Sequence, residues 1–328
     1  MIRCSLGLLE SSLPDQTRIF GEVGGKLVDL NLACAALLLQ SPEHQANAYE
    51  LAGFYFPPTI AAFLERGEPA RNSLDEALAF VRRSGVSDLR GPAGEKIAYD
   101  AKEIRLLPPF LNPEKSFVIG FSDRARTEAL PQAEIPTGFY KLPQTFVANG
   151  TPVIWPKFSQ EVDADGCLAI VIGKAGKRIA AEKAWEHVAG ATLMIDITAR
   201  DIHQREGLTT NNLLGKNFPS STCLGPAMVL GNSRKDFEAL EIELFLDGAV
   251  KQKFGLRDCV FTVEQIIARW SILGIKPGDW LAIGASMALQ GDRLQNPVPL
   301  KIGSTLRCAA PAIGELSHQV VSAGGLRR

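Results

Sequence analysis

The sequence predicts a β-rich α+β protein, with helices concentrated before about residue 110 and strands after it. Residues 168–172 (LAIVI) and 191–195 (ATLMI) are largely apolar runs, which are typical of strands buried on both faces. Asp247-Gly248 separates two further strand candidates, and this dipeptide favours the tight turn of a β-hairpin. Together these patterns indicate a core built mainly from paired strands.

Two further elements of the strand-rich part follow from local signals. Thr262 and Gln265 have the spacing of a capping box and predict a helix that runs to about Ile272. Residues 277–279 (PGD) favour a turn, which predicts a strand at residues 280–284 directly after it.

The N-terminal part has the pattern of a small α+β unit. Strand candidates at residues 18–23 and 26–30 are joined by Gly24-Gly25, which suits a tight turn. Ser41-Pro42 and residues 73–76 (SLDE) each predict the start of a helix. These residues contain no cluster of catalytic side chains, which favours an accessory role.

Prolines mark the predicted boundary between the two parts. Pro108, Pro109 and Pro113 disfavour regular pairing and stiffen a connection. We therefore predict an N-terminal accessory domain over residues 1–110 and a catalytic domain over residues 111–328.

Composition argues against several functional classes. The formal net charge is −1 and no basic stripe is present, so the charge distribution does not favour binding to nucleic acids or membrane surfaces. The six cysteines are scattered without a CxxC pair, which favours reduced thiols in a cytoplasmic protein over a disulfide framework. Motifs of the GxGxxG, P-loop and GxSxG types are absent from the sequence, so nucleotide-binding and α/β-hydrolase folds lose their main support.

Two acidic residues beside the apolar runs are the first candidates for a metal-binding or catalytic site. Asp165 precedes one run and Asp196 follows the other. A carboxylate next to a buried strand is costly unless it is paired or bound to a metal. Two such carboxylates could share a divalent ion such as Mg²⁺ through oxygen ligands. An ion pair with the nearby Arg200 is the structural alternative.

Five segments, in order and spacing, resemble the fumarylacetoacetate hydrolase superfamily. They are residues 163–179 (DADGCLAIVIGKAGKRI), 189–203 (AGATLMIDITARDIH), 214–226 (LGKNFPSSTCLGP), 246–252 (LDGAVKQ) and 275–285 (IKPGDWLAIGA). The resemblance covers residues 117–321, and the N-terminal part also resembles a domain that many bacterial members carry. It implies a mixed β-roll or barrel catalytic domain, a homodimer, and a bound Mg²⁺ or another divalent cation. It also implies a small anionic substrate, either a 2-oxo acid or a 1,3-diketone.

The same resemblance implies which residues hold the metal. Asp165 and Asp196 match two of the three metal carboxylates of the family. Cys167 stands at the third position, where the family has glutamate. A thiol is a poor ligand for magnesium, so the strand either has lost a ligand there or favours a softer ion. A buried cysteine more often acts as a small apolar residue.

Further positions are implied to bind substrate or to move protons. Lys216 matches the active-site lysine, which would stabilise an oxyanion. Lys141 and Arg200 match residues that line the substrate pocket. His203 replaces a glutamine and either acts as an acid or base near neutral pH or only fills space at the pocket edge.

Residues 120–129 match the lid segment of the family, and they depart most from its pattern. Arg126 and Ala129 stand where hydrolytic members carry a water-activating His–Glu pair. Arginine stays protonated and cannot act as a general base, although Arg126 could close over an anionic substrate. Hydrolysis is therefore less favoured than lyase or isomerase chemistry.

Three functional hypotheses remain at this stage. The first is a metal-assisted enzyme that works through an enolate-type intermediate, as a C–C lyase or hydrolase, decarboxylase, dehydratase or tautomerase. The second is a catalytically degenerate or repurposed relative that binds a ligand without turnover. The third is a metal-free specialised enzyme in which Cys167 and His203 act as nucleophile and base.

Overall fold

The structure is a computed structural model of the whole chain. The residues that it describes are 1–9, 16–86, 89–120, 134–206, 213–284, 289–290, 293–294 and 299–324.

The N-terminal part consists of five strands and four helices among the described residues. In chain order they are β1 (Arg3–Leu9), β2 (Arg18–Val23), β3 (Lys26–Asp29), α1 (Leu30–Leu38), α2 (Ala48–Tyr55), α3 (Ile60–Glu65), α4 (Glu68–Ser84), β4 (Ala98–Tyr99) and β5 (Ile104–Leu107). The predicted hairpin is confirmed, because β2 and β3 pair antiparallel across Gly24-Gly25. Both glycines have positive φ, 58° and 76°, which glycine adopts without a steric penalty.

The two helix starts predicted in this part are wrong. No helix begins at Ser41-Pro42, where the chain forms turns until α2 starts at Ala48. Ser73 lies inside α4, whose first turn contains Pro69 instead. Capping patterns are local signals, and packing of a whole helix against the sheet outweighs them. None of the described helices is long and apolar enough to cross a bilayer.

The larger part is rich in strands, as predicted. Its elements are β6 (Ser116–Ile119), β7 (Gly138–Tyr140), β8 (Phe146–Val147), β9 (Val153–Trp155), β10 (Val162–Ile172), β11 (Val188–Ala199), α5 (Arg200–Arg205), β12 (Thr222–Leu230), α6 (Arg234–Glu238), β13 (Glu241–Leu246), β14 (Ala249–Gly255), α7 (Val263–Trp270), β15 (Trp280–Gly284), β16 (Leu289–Gln290), β17 (Arg293–Leu294), β18 (Thr305–Ala310) and β19 (Gly314–Ser322). The hairpin at Asp247-Gly248 and the capping box at Thr262 are both confirmed.

Among the described residues, twelve strands form one mixed sheet and five form a second sheet. The larger sheet runs β4-β3-β2-β1-β12-β11-β10-β15-β6-β7, with β5 on β1 and β8 on β12. The smaller sheet runs β14-β13-β18-β19-β9, and β16 pairs with β17 separately. The N-terminal strands therefore extend the same sheet that contains β10 and β11, through the pairing of β1 with β12. The division near residue 110 stays a prediction.

Strands β10 and β11 are buried along their whole length because both faces are covered. Leu168 and Ile170 belong to a core cluster that also contains residues of the smaller sheet. Ala169 and Val171 point the other way, into a cluster shared with the N-terminal helices. This two-sided burial explains the continuous apolar runs in the sequence and confirms the predicted β-rich fold class.

Candidate active site

Asp165 and Asp196 lie inside the two central strands, not at their ends as the sequence suggested. Their Cα atoms are direct partners in the antiparallel β10–β11 ladder. Both residues are buried, with 5% and 2% of their surface exposed. Like charges directly opposite each other destabilise a sheet. The strands can continue through this point because cationic side chains from other parts of the chain reach both carboxylates.

Two lysines hold the carboxylate of Asp196. Lys141 Nζ donates to Asp196 Oδ1 at 2.9 Å, and Lys216 Nζ donates to Asp196 Oδ2 at 2.6 Å. Burial raises the pKa of Asp196, but the two ammonium groups outweigh it and lower the pKa from its ordinary 3.8 to about 2. Asp196 is therefore a carboxylate at physiological pH.

Lys141 is committed to contacts within the protein. It follows β7, where its backbone N–H donates to the carbonyl of Ser116 at 2.8 Å. Besides Asp196, its Nζ donates to the carbonyl oxygens of Lys216 and Ser221. The hydroxyl oxygen of Ser221 is a fourth acceptor at 3.3 Å, so the three hydrogens of the ammonium group are all used within the protein. Burial lowers the pKa of Lys141, and Asp196 opposes this shift.

Lys216 keeps part of its capacity to donate. Its Nζ donates to Asp196 and to Thr198 Oγ1, the latter at 2.6 Å. These are its two acceptors within the part of the chain that the structure describes, which leaves one hydrogen of the ammonium for a further partner. The same nitrogen lies 5.1 Å from the centre of the Phe139 ring. Only 5% of the residue is exposed, so this donor sits in a largely dry environment.

A second ion-pair group covers Asp165. Arg200 Nη2 donates to Asp165 Oδ2 at 3.0 Å and to Asp163 Oδ2 at 2.9 Å, and Lys251 contacts the other oxygen of Asp163. Burial lowers the pKa of Arg200, but Asp165 and Asp163 raise it overall. Asp163 and Lys251 were not assigned to the site from the sequence. The signal for Asp163 was its spacing of two from Asp165, which places both on one face of a strand.

One oxygen at the site has no partner among the described residues. Asp165 Oδ1 is buried and accepts no hydrogen bond. An unsatisfied carboxylate oxygen in the interior is unusual and fits a metal ligand or a bound polar group. Asp196, directly opposite, supplies further oxygen lone pairs. These two carboxylates suit a hard divalent ion.

Cys167, at the third position implied for a metal ligand, does not suit a hard divalent ion as the two aspartates do. Burial, followed by the charges of Asp196 and Asp165, raises the pKa of Cys167 well above its ordinary value, so the thiol is protonated and a poor ligand. Its Sγ lies 4.0 Å from the carbonyl oxygen of Asp165. Within the described ranges, no group of three or more His, Cys, Asp and Glu side chains is placed to hold a metal ion.

The two remaining predicted residues differ in what the structure says of them. His203 is buried on α5, and its backbone lies so close to Gly215 that a Cβ there would come within 2.8 Å of His203 N. His203 is thus a close neighbour of the segment that carries Lys216. Arg126 lies outside the described residues.

Comparison with known proteins settles the family. The family model described as the fumarylacetoacetate hydrolase C-terminal domain matches residues 118–321. The chain belongs to the fumarylacetoacetate hydrolase family. This result confirms the resemblance drawn from the five sequence segments, and it agrees with the strand-rich fold built around β10 and β11.

Two sequence relatives and one solved structure are similar to this chain. It is 33% identical to a mitochondrial oxaloacetate tautomerase of Xenopus laevis over 283 residues, which cover 84% of this chain and 81% of the relative. It is 31% identical to an oxaloacetate tautomerase of Bacillus subtilis, covering 68% and 75% of the two chains. The maleylpyruvate hydrolase of Sphingobium, solved with manganese(II) and pyruvate, shares the fold with a TM-score of 0.69 at 19% identity, covering 98% and 99%.

Proposed function

We propose that this protein interconverts the enol and keto forms of a small dianionic 2-oxo acid of the oxaloacetate type. The two relatives compared above, at 33% and 31% identity, are oxaloacetate tautomerases. The buried, cation-rich surroundings of Asp165 and Asp196 suit an anionic substrate. This proposal selects tautomerisation from the wider range of lyase, hydrolase, decarboxylase and dehydratase reactions that the sequence left open.

The ammonium of Lys216 is the observation that carries the proposal. Asp196 and Thr198 fix its position at 2.6 Å each, and among the described residues no third acceptor takes its remaining hydrogen. A donor that is already oriented stabilises developing negative charge more strongly than a mobile one, because no reorganisation is needed. Lys216 would donate to the oxygen that carries the enolate charge.

The reaction moves one proton and leaves the substrate's composition unchanged. The enol oxygen loses its proton, the enolate charge rests on that oxygen beside Lys216, and the neighbouring carbon gains a proton. His203 is our candidate for carrying the proton, since it lies beside the Lys216 segment and an imidazole can both donate and accept a proton. Lys141 and Arg200, predicted to bind substrate, would instead position Asp196 and Asp165.

A divalent cation fits this reaction as a cofactor. Asp165 and Asp196 would hold it, and their oxygen ligands suit Mg²⁺ or Mn²⁺. When bound, such an ion would polarise the 2-oxo group and favour the enolate. The homodimer and the cytoplasmic location stay predictions.

Three other functions were considered beside the tautomerase. A degenerate relative would bind a dianion without turnover. A metal-free Cys167–His203 enzyme requires a reactive thiolate, which the raised pKa of Cys167 disfavours. Hydrolysis is disfavoured by the sequence of the lid, where Arg126 replaces the expected histidine.

The experiment follows the loss of ultraviolet absorbance as enol-oxaloacetate converts to the keto form, with Mg²⁺ or Mn²⁺ present. We expect the protein to accelerate the conversion and Lys216→Met to reduce kcat by about a hundredfold or more. Lys235→Met, at an exposed position on α6, is the matched control and should keep full activity. Binding of a dianion with no acceleration by the unmodified protein would reject the tautomerase and support the degenerate relative.

A further inference from the structure

Lys251 reaches the site through an irregularity in strand β14. In the pairing of β13 with β14, Leu244 faces Gln252, whereas Phe245 faces Val250. Lys251 is thus an extra residue on β14, which is the pattern of a β-bulge. Neighbouring residues of a regular strand point to opposite faces, but a bulge can turn two neighbours to the same side. The bulge allows Lys251 and Gln252 both to contact β10.

Gln252 fixes the β13–β14 hairpin against β10. Its side-chain amide donates to the carbonyl of Gly166 at 3.1 Å and accepts from the N–H of Gly166 at 2.9 Å. Gly166 follows Asp165 directly in β10. A Cβ on Gly166 would lie only 3.3 Å from Leu244 Cβ, so the absence of a side chain allows this close approach. The two hydrogen bonds therefore hold the neighbouring Lys251 at a fixed place beside β10.

The ammonium of Lys251 occupies one oxygen of Asp163. The side chain of Lys251 is 6% exposed and donates to Asp163 Oδ1, which also accepts the N–H of Ala164 at 2.8 Å. The other oxygen, Asp163 Oδ2, accepts both Nε and Nη2 of Arg200, at 3.1 and 2.9 Å. The same Nη2 also donates to Asp165 Oδ2 at 3.0 Å. Arg200 is thereby shared between two carboxylates.

This shared geometry differs from the one that arginine frequently adopts. A guanidinium and a carboxylate commonly form two parallel hydrogen bonds, one to each oxygen. A carboxylate oxygen has about two positions for a donor, and at Asp163 Oδ1 these are taken by Lys251 and by the N–H of Ala164. Arg200 cannot use that oxygen without displacing one of them. Lys251 thus confines Arg200 to Oδ2, from which its Nη2 also reaches Asp165.

We propose that Lys251 is a positioning residue, which keeps Arg200 between Asp163 and Asp165 and thereby fixes Asp165 for the reaction. Without the ammonium, Asp163 Oδ1 would attract the guanidinium. Arg200 would move towards Asp163, and its hydrogen bond to Asp165 would lengthen. Asp165 would then be a buried carboxylate without a fixed cation. The link to turnover rests on the proposed function, whereas the position of Arg200 can be observed without it.

The structural test compares Lys251→Met with Lys253→Met. Lys253 lies two residues further along β14, and its ammonium is in an exposed ion pair, which makes it a matched control. In a crystal structure of Lys251→Met, we expect Arg200 to bind both oxygens of Asp163. Its Nη2 should lie more than about 3.5 Å from Asp165, beyond hydrogen-bond distance. The control should keep the bridge, and an unchanged bridge in Lys251→Met would overturn the proposal.

Kinetics of enol conversion separate positioning from a general effect on folding. We expect Lys251→Met to lower kcat by about tenfold and to change KM by less than about threefold, because a misplaced group near the reacting atoms affects mainly the rate. Lys251→Arg keeps a cation that can donate to Asp163 and should restore most of kcat. Equal values of kcat in Lys251→Met and Lys253→Met would contradict the positioning role.

A milder variant covers the case in which Lys251→Met does not fold. Lys251→Gln is shorter and neutral but still polar, so its side chain should withdraw from Asp163 and shift Arg200 in the same way. If the unmodified protein does not accelerate enol conversion, the proposed function is rejected, and the crystal structures decide whether Lys251 positions Arg200. If it does accelerate the reaction and Arg200 keeps its bridge in the variants, this inference alone is rejected.

Discussion

Asp165 and Asp196 face each other at the same position of adjacent antiparallel strands, and each is held by a different set of cations. Arg200 covers Asp165, whereas Lys141 and Lys216 cover Asp196. The repulsion expected between two opposed carboxylates is thereby offset. With the described residues alone, the same arrangement leaves one oxygen of Asp165 and one hydrogen of Lys216 without a hydrogen-bond partner.

Thr198 positions the ammonium of Lys216, so its hydroxyl should matter for turnover. Thr198→Val removes the acceptor at 2.6 Å while keeping the size of the side chain. A hydrogen bond to a charged group is worth about 1.5–3 kcal/mol, so we expect kcat for enol conversion to fall about tenfold or more. The loss should appear mainly in kcat, because Lys216 is proposed to contact the oxygen whose charge develops during the reaction.

Thr192→Val is the matched control for that variant. Thr192 is buried on the same strand, and its hydroxyl donates to the carbonyl of Ala227 at 2.8 Å. Its loss should lower stability without changing kcat. If both variants reduce kcat equally, Thr198 acts through the general stability of β11 and has no specific positioning role.

Asp196 should be important for stability as well as for the site. Asp196→Asn leaves two buried ammonium groups without a balancing charge, and breaking a buried pair in this way costs about 3–5 kcal/mol. Urea unfolding measures the change in the free energy of unfolding. Glu315→Gln, which breaks an exposed pair with Arg307, should cost less than about 1 kcal/mol. Similar losses in the two variants would refute the balanced arrangement.

The lowered pKa of Asp196 predicts a specific dependence of stability on pH. The pKa falls from 3.8 to about 2 on folding, so the carboxylate contributes stability above about pH 4 that is lost as the pH falls towards 2. The contribution is about 2.5 kcal/mol, at roughly 1.4 kcal/mol per pKa unit. Urea unfolding between pH 2 and 5 measures how the free energy of unfolding depends on pH. This dependence should be weaker in Asp196→Asn than in the unmodified protein. The same pH dependence of the free energy of unfolding in both proteins would argue against a lowered pKa of Asp196.

Cys167 is predicted to be chemically inert. Its thiol is buried and its pKa is raised well above the ordinary value, so little thiolate forms near neutral pH. We expect Cys167→Ala to keep its activity and to lose about 1 kcal/mol of stability through a small packing defect. Steady-state kinetics and urea unfolding measure the two effects. A complete loss of activity in a folded variant would restore the hypothesis of a cysteine nucleophile.

The sequence by itself determined the fold class and pointed to the strands that carry the candidate site. Apolar runs identified β10 and β11, paired glycines and Asp-Gly identified two hairpins, and the motif segments identified Asp196 and Lys216. Each of these signals comes from residues close together in the chain. The helix starts failed, since capping patterns are weak beside the packing of a complete helix.

Only the tertiary structure decided how the charges are shared. Lys141, Asp196 and Lys216 come from three separate segments, and their meeting at one point depends on how those segments pack. The same packing joins Lys251 to Asp163 and leaves Asp165 Oδ1 without a hydrogen bond among the described residues. A motif specifies residue types, but the protonation and hydrogen-bonding capacity of a buried side chain depend on every charge that packs against it.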